Sequence, residues 1–249
     1  ARLFDQTRQA LSETEQLYNI GMRINTAATL EDLLQAAIAP SVAAGSSSAG
    51  IWLFDLDKMG KPIEMEFEAA WAREGKSPIP VGARLRVADF PSSKLWLEAA
   101  GQPSFIGDIV RDERVDPILR ATFQQVNIAA TGFMPLMISN RWVGLIIVSW
   151  QEPHDFTPGE QRMYQSIASQ VAVSIDNRRL LERIQHDAER ERIVNYIAGQ
   201  IRNAQSVEQV LSIATQELRL ATRASRSIAE IAPERAQQPG VAPGAETVN

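Results

Sequence analysis

The sequence predicts an α+β fold, with an antiparallel sheet of five or six strands packed on helices and long coiled-coil-type helices at both ends. Three observations carry this prediction. A breaker-poor apolar stripe with helical period opens the chain, short apolar or alternating segments fill the middle, and a second breaker-poor helical stretch begins near residue 157. Segregated helix-type and strand-type periodicities of this kind are typical of α+β domains.

The composition excludes several classes of partner. The chain has 249 residues, 45% hydrophobic content and a formal net charge of -5. A mildly acidic chain lacks the basic field that nucleic acid needs, so we expect no nucleic acid partner. No apolar run is long enough to cross a bilayer, so we expect no direct membrane insertion in this segment. We expect a cytoplasmic domain, which a membrane anchor further upstream would also allow.

The chain lacks cysteine and has only two histidines, His154 and His186. Without cysteine there are no disulfides, thiolate metal sites or cysteine nucleophiles. The two histidines lie on different predicted elements, which argues against a zinc site or a Ser-His-Asp triad. We therefore expect no metal and no catalytic residues.

Residues 1–28 are predicted to form an N-terminal signalling helix, because apolar residues recur every seven positions in two rows. The rows are Leu3, Ala10, Leu17 and Ile24, and Phe4, Leu11 and Tyr18. A stripe this narrow needs a partner helix, and parallel self-pairing is the favoured interpretation. The alternative is that this helix packs back on its own domain.

A helix and two strands are predicted next. Thr29, followed by Asp32 three residues later, predicts the start of a helix over residues 30–44. Residues 49–55 are almost wholly apolar and predict a strand covered on both faces. Residues 63–71 alternate strictly and predict a half-exposed strand at or near a sheet edge. Its apolar face is expected to hold Ile63, Met65, Phe67, Ala69 and Trp71.

The second half of the chain contains a predicted hairpin and a long helix. Short helices are predicted at 92–100 and 117–125 and a short strand at 104–109. Strands 132–139 and 142–150 are joined by a tight turn at Asn140-Arg141. Pro135 marks a bulge or an unpaired edge. Thr157, Pro158 and Glu160 then form a strong start signal for a helix that continues to about residue 200.

The first forty residues recur near the end of the chain, shifted by 177 positions. Arg2-Leu3 matches Arg179-Leu180, and the isoleucines Ile20 and Ile24 fall on Ile197 and Ile201. We interpret residues 181–231 as the entry helices of a further, truncated repeat, and 232–249 as a disordered tail. The alternative is chance similarity between two amphipathic helices. Domains strung along helices point to signal relay rather than catalysis.

The order of these elements, together with four pairs of short motifs, resembles a GAF domain over residues 29–180. GAF domains are the small-molecule-sensing modules of histidine kinases, cyclases and transcription activators. The motifs are LEDLL at 30–34 before AGIWL at 49–53, GQP at 101–103 before IGD at 106–108, FMPL at 133–136 before WVGLI at 142–146, and FTPGE at 156–160 before ASQVA at 168–172.

The resemblance implies that the first and last helices cover one face of the sheet. The irregular stretch 73–131 would then cover the other face, with a ligand cavity between it and the sheet. Aromatic walls suit a small planar or amphipathic ligand. The residues expected around this space are Trp71, Phe90, Phe105, Asp108, Phe123 and Phe133. Two alternatives stay open: the aromatic residues fill the core without a ligand, and Asp108 caps a neighbouring turn.

The resemblance also bears on cofactors. Family members that attach bilin or reduce methionine sulfoxide do so through cysteine, which this chain lacks. The Asn-Lys-Phe-Asp signature of cyclic-nucleotide-binding members is not visible. His154 sits at a strand-to-helix corner, where a polar turn residue is ordinary, so we do not expect haem. We expect no cofactor.

We therefore expect a non-enzymatic sensory or regulatory module that works as a parallel homodimer and relays signals through paired helices. Leu181 and Ile184 join the N-terminal rows in the expected dimer interface. One alternative is a ligand-free structural dimerisation domain. Another is a fragment of a two-component histidine kinase, because His186-Asp187 is similar to a phosphoacceptor histidine followed by an acid.

Overall fold

A computed structural model describes residues 14, 15, 17–75, 77 and 79–203, and it contains one six-stranded antiparallel sheet with strand order β3-β2-β1-β6-β5-β4. The predicted α+β class and the antiparallel sheet are confirmed. In chain order the elements are α1 (17–26), α2 (Leu30–Ala43), β1 (Ser48–Leu56), β2 (Pro62–Ala72), β3 (Arg84–Arg86), α3 (Ser93–Leu97), β4 (Ser104–Ile106), α4 (Pro117–Gln125), β5 (Ala130–Ile138), β6 (Arg141–Trp150) and α5 (Pro158–Asn203).

The start of α2 is fixed by the predicted capping box. The Asp32 backbone N–H donates to Thr29 Oγ1 at 3.0 Å, and the Thr29 N–H donates to Asp32 Oδ2 at 3.0 Å. Both bonds satisfy donors that the first helical turn leaves without partners. Hydrogen bonds from Thr29 hold the pKa of the Asp32 carboxyl below its ordinary value.

The sheet carries a separate apolar core on each face, as expected for central strands that are apolar on both sides. One core joins the sheet to α1, α2 and α5 and includes Leu34, Ile51 and Val171. The other joins it to the stretch between β3 and β5 and includes Trp96 and Phe133. The second core forms the floor of the cavity described below.

A β-bulge in β2 overturns one prediction. Ile51 pairs with Ala69 and the next residue, Trp52, pairs with Phe67, so β2 carries one extra residue, Glu68, at this point. Phe67 therefore packs in the second core, while Ala69 packs in the first. The expectation that residues 63–71 present one continuous apolar face is wrong. An inserted residue moves each later side chain of the strand to the opposite face of the sheet. The near-edge position is confirmed, since only β3 lies outside β2.

The β5–β6 hairpin turns one residue earlier than predicted. Ile138 pairs with Arg141, so the loop consists of Ser139 and Asn140 rather than Asn140-Arg141. Both loop residues have positive φ, 45° and 66°, as two-residue hairpin turns of this twist require. Pro135 pairs with Leu145, and the nearby bulge lies on the partner strand, where Val143 of β6 is the extra residue, so the bulge predicted for the strand of Pro135 is wrong.

Helix α1 packs on its own domain at two of the expected interface positions. Ile24 is 0% exposed and belongs to the first core, and Leu17 packs against that core. The prediction that Ile24 pairs with a second copy is therefore wrong. The alternative, that the helix packs back on its own domain, holds for Leu17 and Ile24. Tyr18 is exposed. Leu3, Phe4, Ala10 and Leu11 lie outside the described residues.

Helix α5 begins at Pro158, as predicted, and spans 46 residues. The Glu160 N–H donates to Thr157 Oγ1 at 3.3 Å in its first turn. The described part of the chain divides into two compact units, with the boundary between residues 181 and 182. No helix within the described residues combines the length and apolar character that crossing a bilayer requires. The part of the predicted entry helices beyond residue 203 and the tail at 232–249 lie outside the described residues.

Candidate ligand-binding site

A cavity of about 460 Å³ lies on the face of the sheet opposite α1 and α2. Its floor is formed by β1, β2, β5 and β6, and its walls come from residues 77–92 and α4. Two other cavities, of about 420 and 530 Å³, lie near Gly60 and near Pro103. The cavity of about 460 Å³ is the better candidate for a ligand-binding site, because it opens onto the aromatic residues of the second core.

The floor of the cavity has a polar row and an apolar row that run across three adjacent strands. Ser48 on β1 pairs with Ser149 on β6, and Ser149 pairs with Thr131 on β5. We call these three residues the hydroxyl row. Two residues further along the same strands, Gly50, Ile147 and Phe133 form the apolar row. All six residues line the cavity.

An aromatic wall stands beside the apolar row. The ring centroids of Trp52 and Phe67 are 4.5 Å apart, and those of Trp52 and Phe90 are 5.4 Å apart. A Cβ atom at Gly50 would overlap the ring of Phe67. Glycine at this position therefore allows the Phe67 ring to lie against the strand and keeps this part of the floor flat.

Helix α4 closes the cavity from above with Leu119 and Phe123. Asp116 caps this helix, accepting from the backbone N–H groups of Ile118 and Leu119 at 2.9 Å. Pro117 occupies the first helical position, where its missing N–H costs nothing. The short helix is therefore held by its own cap as well as by the core beneath it.

Four of the six predicted site residues border this cavity: Trp71, Phe90, Phe123 and Phe133. Trp71 also packs against the first core, and the guanidinium carbon of Arg73 lies 5.9 Å from its ring centroid. The bulge in β2 places the side chain of Trp71 on the opposite face of the sheet from Phe67.

The other two predicted residues lie elsewhere. Phe105 packs on the opposite face, with its ring 4.9 Å from Phe156 and 5.9 Å from Tyr164. Asp108 accepts from the Val110 N–H at 2.9 Å and forms an ion pair with Arg111 at 3.3 Å. Asp108 therefore caps a turn, the alternative that the sequence had left open.

Sequence reasoning missed the hydroxyl row and the Trp52–Phe67 pair. The available signal was the alternation within β1 and β6, which places Ser48 with Trp52 and Ser149 with Ile147 on one face of each strand. Which strands are neighbours, and in which register, is not written in any single segment. The row could therefore not be assembled before the pairing was known.

His154 lies away from the cavity, at the β6–α5 corner. Its ring stacks on Trp150 with centroids 4.6 Å apart, and its Nε2 lies 2.8 Å from Glu160 Oε1. The His154 N–H donates to the Gly107 carbonyl at 2.9 Å. These contacts assign His154 a role in joining the end of β6 to α5.

The family model for GAF domains matches residues 27–176, more than half of the chain. A putative methyl-accepting chemotaxis protein of Synechocystis sp. (strain ATCC 27184 / PCC 6803 / Kazusa) is 29% identical over 110 residues. That match covers 44% of this chain and 11% of the chemotaxis protein, so the chain corresponds to a small part of that relative.

Solved structures with the same fold include bacteriophytochrome RpBphP3 from R. palustris, with a TM-score of 0.63 and 16% identity over 85% of this chain and 46% of that one. The GAF domain of an Acinetobacter phosphoenolpyruvate-protein phosphotransferase has a TM-score of 0.52 and 16% identity, over 69% of this chain and 98% of that one. Identities this low show the fold alone. With the family match over residues 27–176, the conclusion is plain: this chain belongs to the GAF domain family.

Proposed function

We propose that this domain is a non-enzymatic sensory module that binds a small molecule in the cavity over β1, β5 and β6. GAF family membership and the chemotaxis-protein relative support a role in sensory signalling. The observation that carries the ligand-binding part is the cavity itself. Its volume of about 460 Å³ falls within the range typical of small-molecule sites, and its lining combines aromatic and hydroxyl side chains.

We further propose that binding is relayed through β6 to α5. Arg141 at the start of β6 forms a 2.6 Å ion pair with Asp176 of α5, and His154 and Glu160 join the other end of β6 to the first turn of that helix. Arg178 of α5 donates to the carbonyls of Ala27 and Ala28, between α1 and α2. A tenfold bias between two helix positions requires only about 1.4 kcal/mol of differential interaction.

A parallel homodimer remains our proposal for how the helices work. Leu181 and Ile184 are both more than half exposed, at 59% and 55%. Exposed apolar side chains on a helix need a cover, and a second copy of the same helix supplies one. Because Ile24 is buried within its own domain, α5 rather than the Leu17–Ile24 row of α1 would provide the pairing surface.

The ligand-binding proposal can be tested by blocking the cavity. Thr122 lines it from α4, whereas Gln125 is exposed on the same helix and does not. Thr122→Trp should fill the cavity, and Gln125→Trp is the matched control. Native mass spectrometry of the protein from several expression hosts, and thermal-shift measurements with a chemically mixed panel, should show a bound molecule in the wild type and the control but not in Thr122→Trp.

The opposite outcome would favour the structural alternative. A clean apo mass from every host, with no compound in the panel raising the melting temperature, would identify a ligand-free dimerisation domain. Binding that survives unchanged in Thr122→Trp would place the site outside this cavity.

A further inference from the structure

We infer that the cavity takes a neutral, flat, mostly apolar molecule with one hydroxyl or carbonyl group on its edge, that is, a small phenol or aromatic carbonyl compound. The inference deepens the proposed function and rests on it. It follows from the charges, the aromatic packing and the hydroxyl row of the cavity lining.

The charge of the lining disfavours ions. Among the described residues that line the cavity, Glu74 alone carries a charge, and it is exposed. Arg73 lies next to it in sequence but donates to the carbonyls of Ser46 and Val42. An anionic ligand such as a phosphate would therefore lose its hydration without gaining a cationic partner among the described lining residues, which is costly.

The aromatic residues do not form a cage for a cation. A cation site needs ring faces arranged around an open centre. Here the ring of Trp52 packs against those of Phe67 and Phe90, with centroids 4.5 and 5.4 Å away, so the three form a continuous wall. A wall beside a floor that Gly50 keeps flat suits a flat apolar molecule better.

The hydroxyl row supplies the polar edge. Thr131 is 0% exposed and Ser149 4% exposed, and their hydroxyl oxygens lie 3.4 Å apart. Thr131 Oγ1 donates to the Val148 carbonyl at 3.1 Å and is fully buried, so it supports the Ser149 hydroxyl rather than meeting a ligand itself. Among the described residues, no group forms a hydrogen bond with the Ser48 hydroxyl. Serine and threonine hydroxyls both donate and accept, so the row can bind either a hydroxyl or a carbonyl.

The size of the cavity limits the ligand to a small molecule. A volume of about 460 Å³ lies in the lower half of the range that small-molecule sites span. We therefore choose probes that share one two-ring skeleton and differ in a single group. The probes are 2-naphthol, naphthalene, naphthalene-2-sulfonate and naphthalen-2-ylmethylammonium.

Affinity is measured by quenching of tryptophan fluorescence and by calorimetry. We expect 2-naphthol to bind about threefold to tenfold more tightly than naphthalene, the range expected for one net neutral hydrogen bond. The sulfonate and the ammonium compound should each bind about tenfold or more weakly than 2-naphthol, because their charges would be buried without partners.

Two kinds of variant locate the effect. Ser149→Ala should remove the advantage of 2-naphthol over naphthalene and leave naphthalene binding unchanged. Ser48→Ala, at a less buried end of the row, repeats this test if Ser149→Ala fails to fold. Thr122→Trp should abolish binding of 2-naphthol, and Gln125→Trp should not.

Each contrary result has a distinct meaning. If the sulfonate or the ammonium compound binds as tightly as 2-naphthol and is lost in Thr122→Trp, the inferred ligand class is wrong and the cavity still binds ligands. The same holds if 2-naphthol and naphthalene bind equally well. If no naphthalene probe binds while mass spectrometry finds another bound molecule, the ligand class alone fails. If nothing binds by either method, the proposed function fails with it.

Discussion

Oε1 of Glu160 lies 2.8 Å from Nε2 of His154, and the same oxygen accepts the hydroxyl hydrogen of Tyr164 at 3.0 Å. The side chains of His154 and Glu160 are only 17% and 15% exposed. Burial, and to a lesser extent the adjacent Glu160 carboxylate, raises the pKa of the Tyr164 hydroxyl above its ordinary value. The hydroxyl therefore remains protonated and acts as a donor. One carboxylate therefore joins the β6–α5 corner to the second turn of α5.

Replacing Glu160 should destabilise the domain. Glu160→Ala leaves the buried Tyr164 hydroxyl and the His154 ring without their acceptor, and we expect a loss of about 1–3 kcal/mol in the free energy of unfolding. Glu160→Gln retains an oxygen acceptor and should cost less. Urea denaturation measures both, with the exposed Glu152→Ala as control. If Glu160→Ala is as mild as the control, the shared hydrogen bonds contribute little.

The capping box of α2 predicts a pH dependence with a definite sign. Side-chain and backbone hydrogen bonds from Thr29 lower the folded-state pKa of Asp32 from 3.8. Its contribution to stability is therefore present above pH 3.8 and is lost as the pH falls through the lower folded value. Thr29→Ala should raise the pKa of Asp32 towards 3.8, as measured by NMR titration of the carboxyl carbon. An unchanged pKa would mean that Thr29 does not cause the shift.

Two glycines should respond to alanine in opposite directions. A Cβ at Gly144 would overlap the carbonyl oxygen of Trp52 on the paired strand, so Gly144→Ala should cost about 1–3 kcal/mol by overpacking. Apart from the surrounding helix backbone, no atom of the described residues lies within 4 Å of a Cβ placed at Gly199 in α5, so Gly199→Ala should stabilise the helix locally by about 0.5–1 kcal/mol.

Global unfolding reports on Gly144→Ala, and hydrogen exchange at the C-terminal end of α5 reports on Gly199→Ala. Faster exchange in Gly199→Ala, or unchanged stability in Gly144→Ala, would contradict these expectations.

The homodimer proposal predicts different effects for substitutions at two sets of apolar residues. The double variant Leu181→Glu, Ile184→Glu should weaken association and leave the melting temperature of the domain nearly unchanged, because both side chains are exposed. Ile24→Glu should instead lower the melting temperature, because it places a charge in the first core. Light scattering over a concentration series and calorimetry measure the two effects. A wild-type protein that is monomeric throughout the series would contradict the proposal.

The aromatic residues show how far sequence reasoning reaches in this domain. Phe90, Phe123 and Phe133 were expected around the cavity and do line it. Phe105 was expected with them but faces α5, because the facing of a short strand depends on the register of its pairing with β5. A shift of one residue exchanges the two faces of a strand, and nothing in a three-residue strand reveals it.

The features that depend on a few neighbouring residues follow directly from the amino-acid sequence. These are the capping box at Thr29 and Asp32, the start of α5 at Pro158, and the strands that are apolar on both faces. Tertiary structure alone decided the bulge at Glu68, the burial of Ile24 and the alignment of Ser48, Ser149 and Thr131. Caps and periodicities arise from contacts within one or two turns. Register arises from pairing between segments that lie far apart in the chain, and its energy depends on both partners at once.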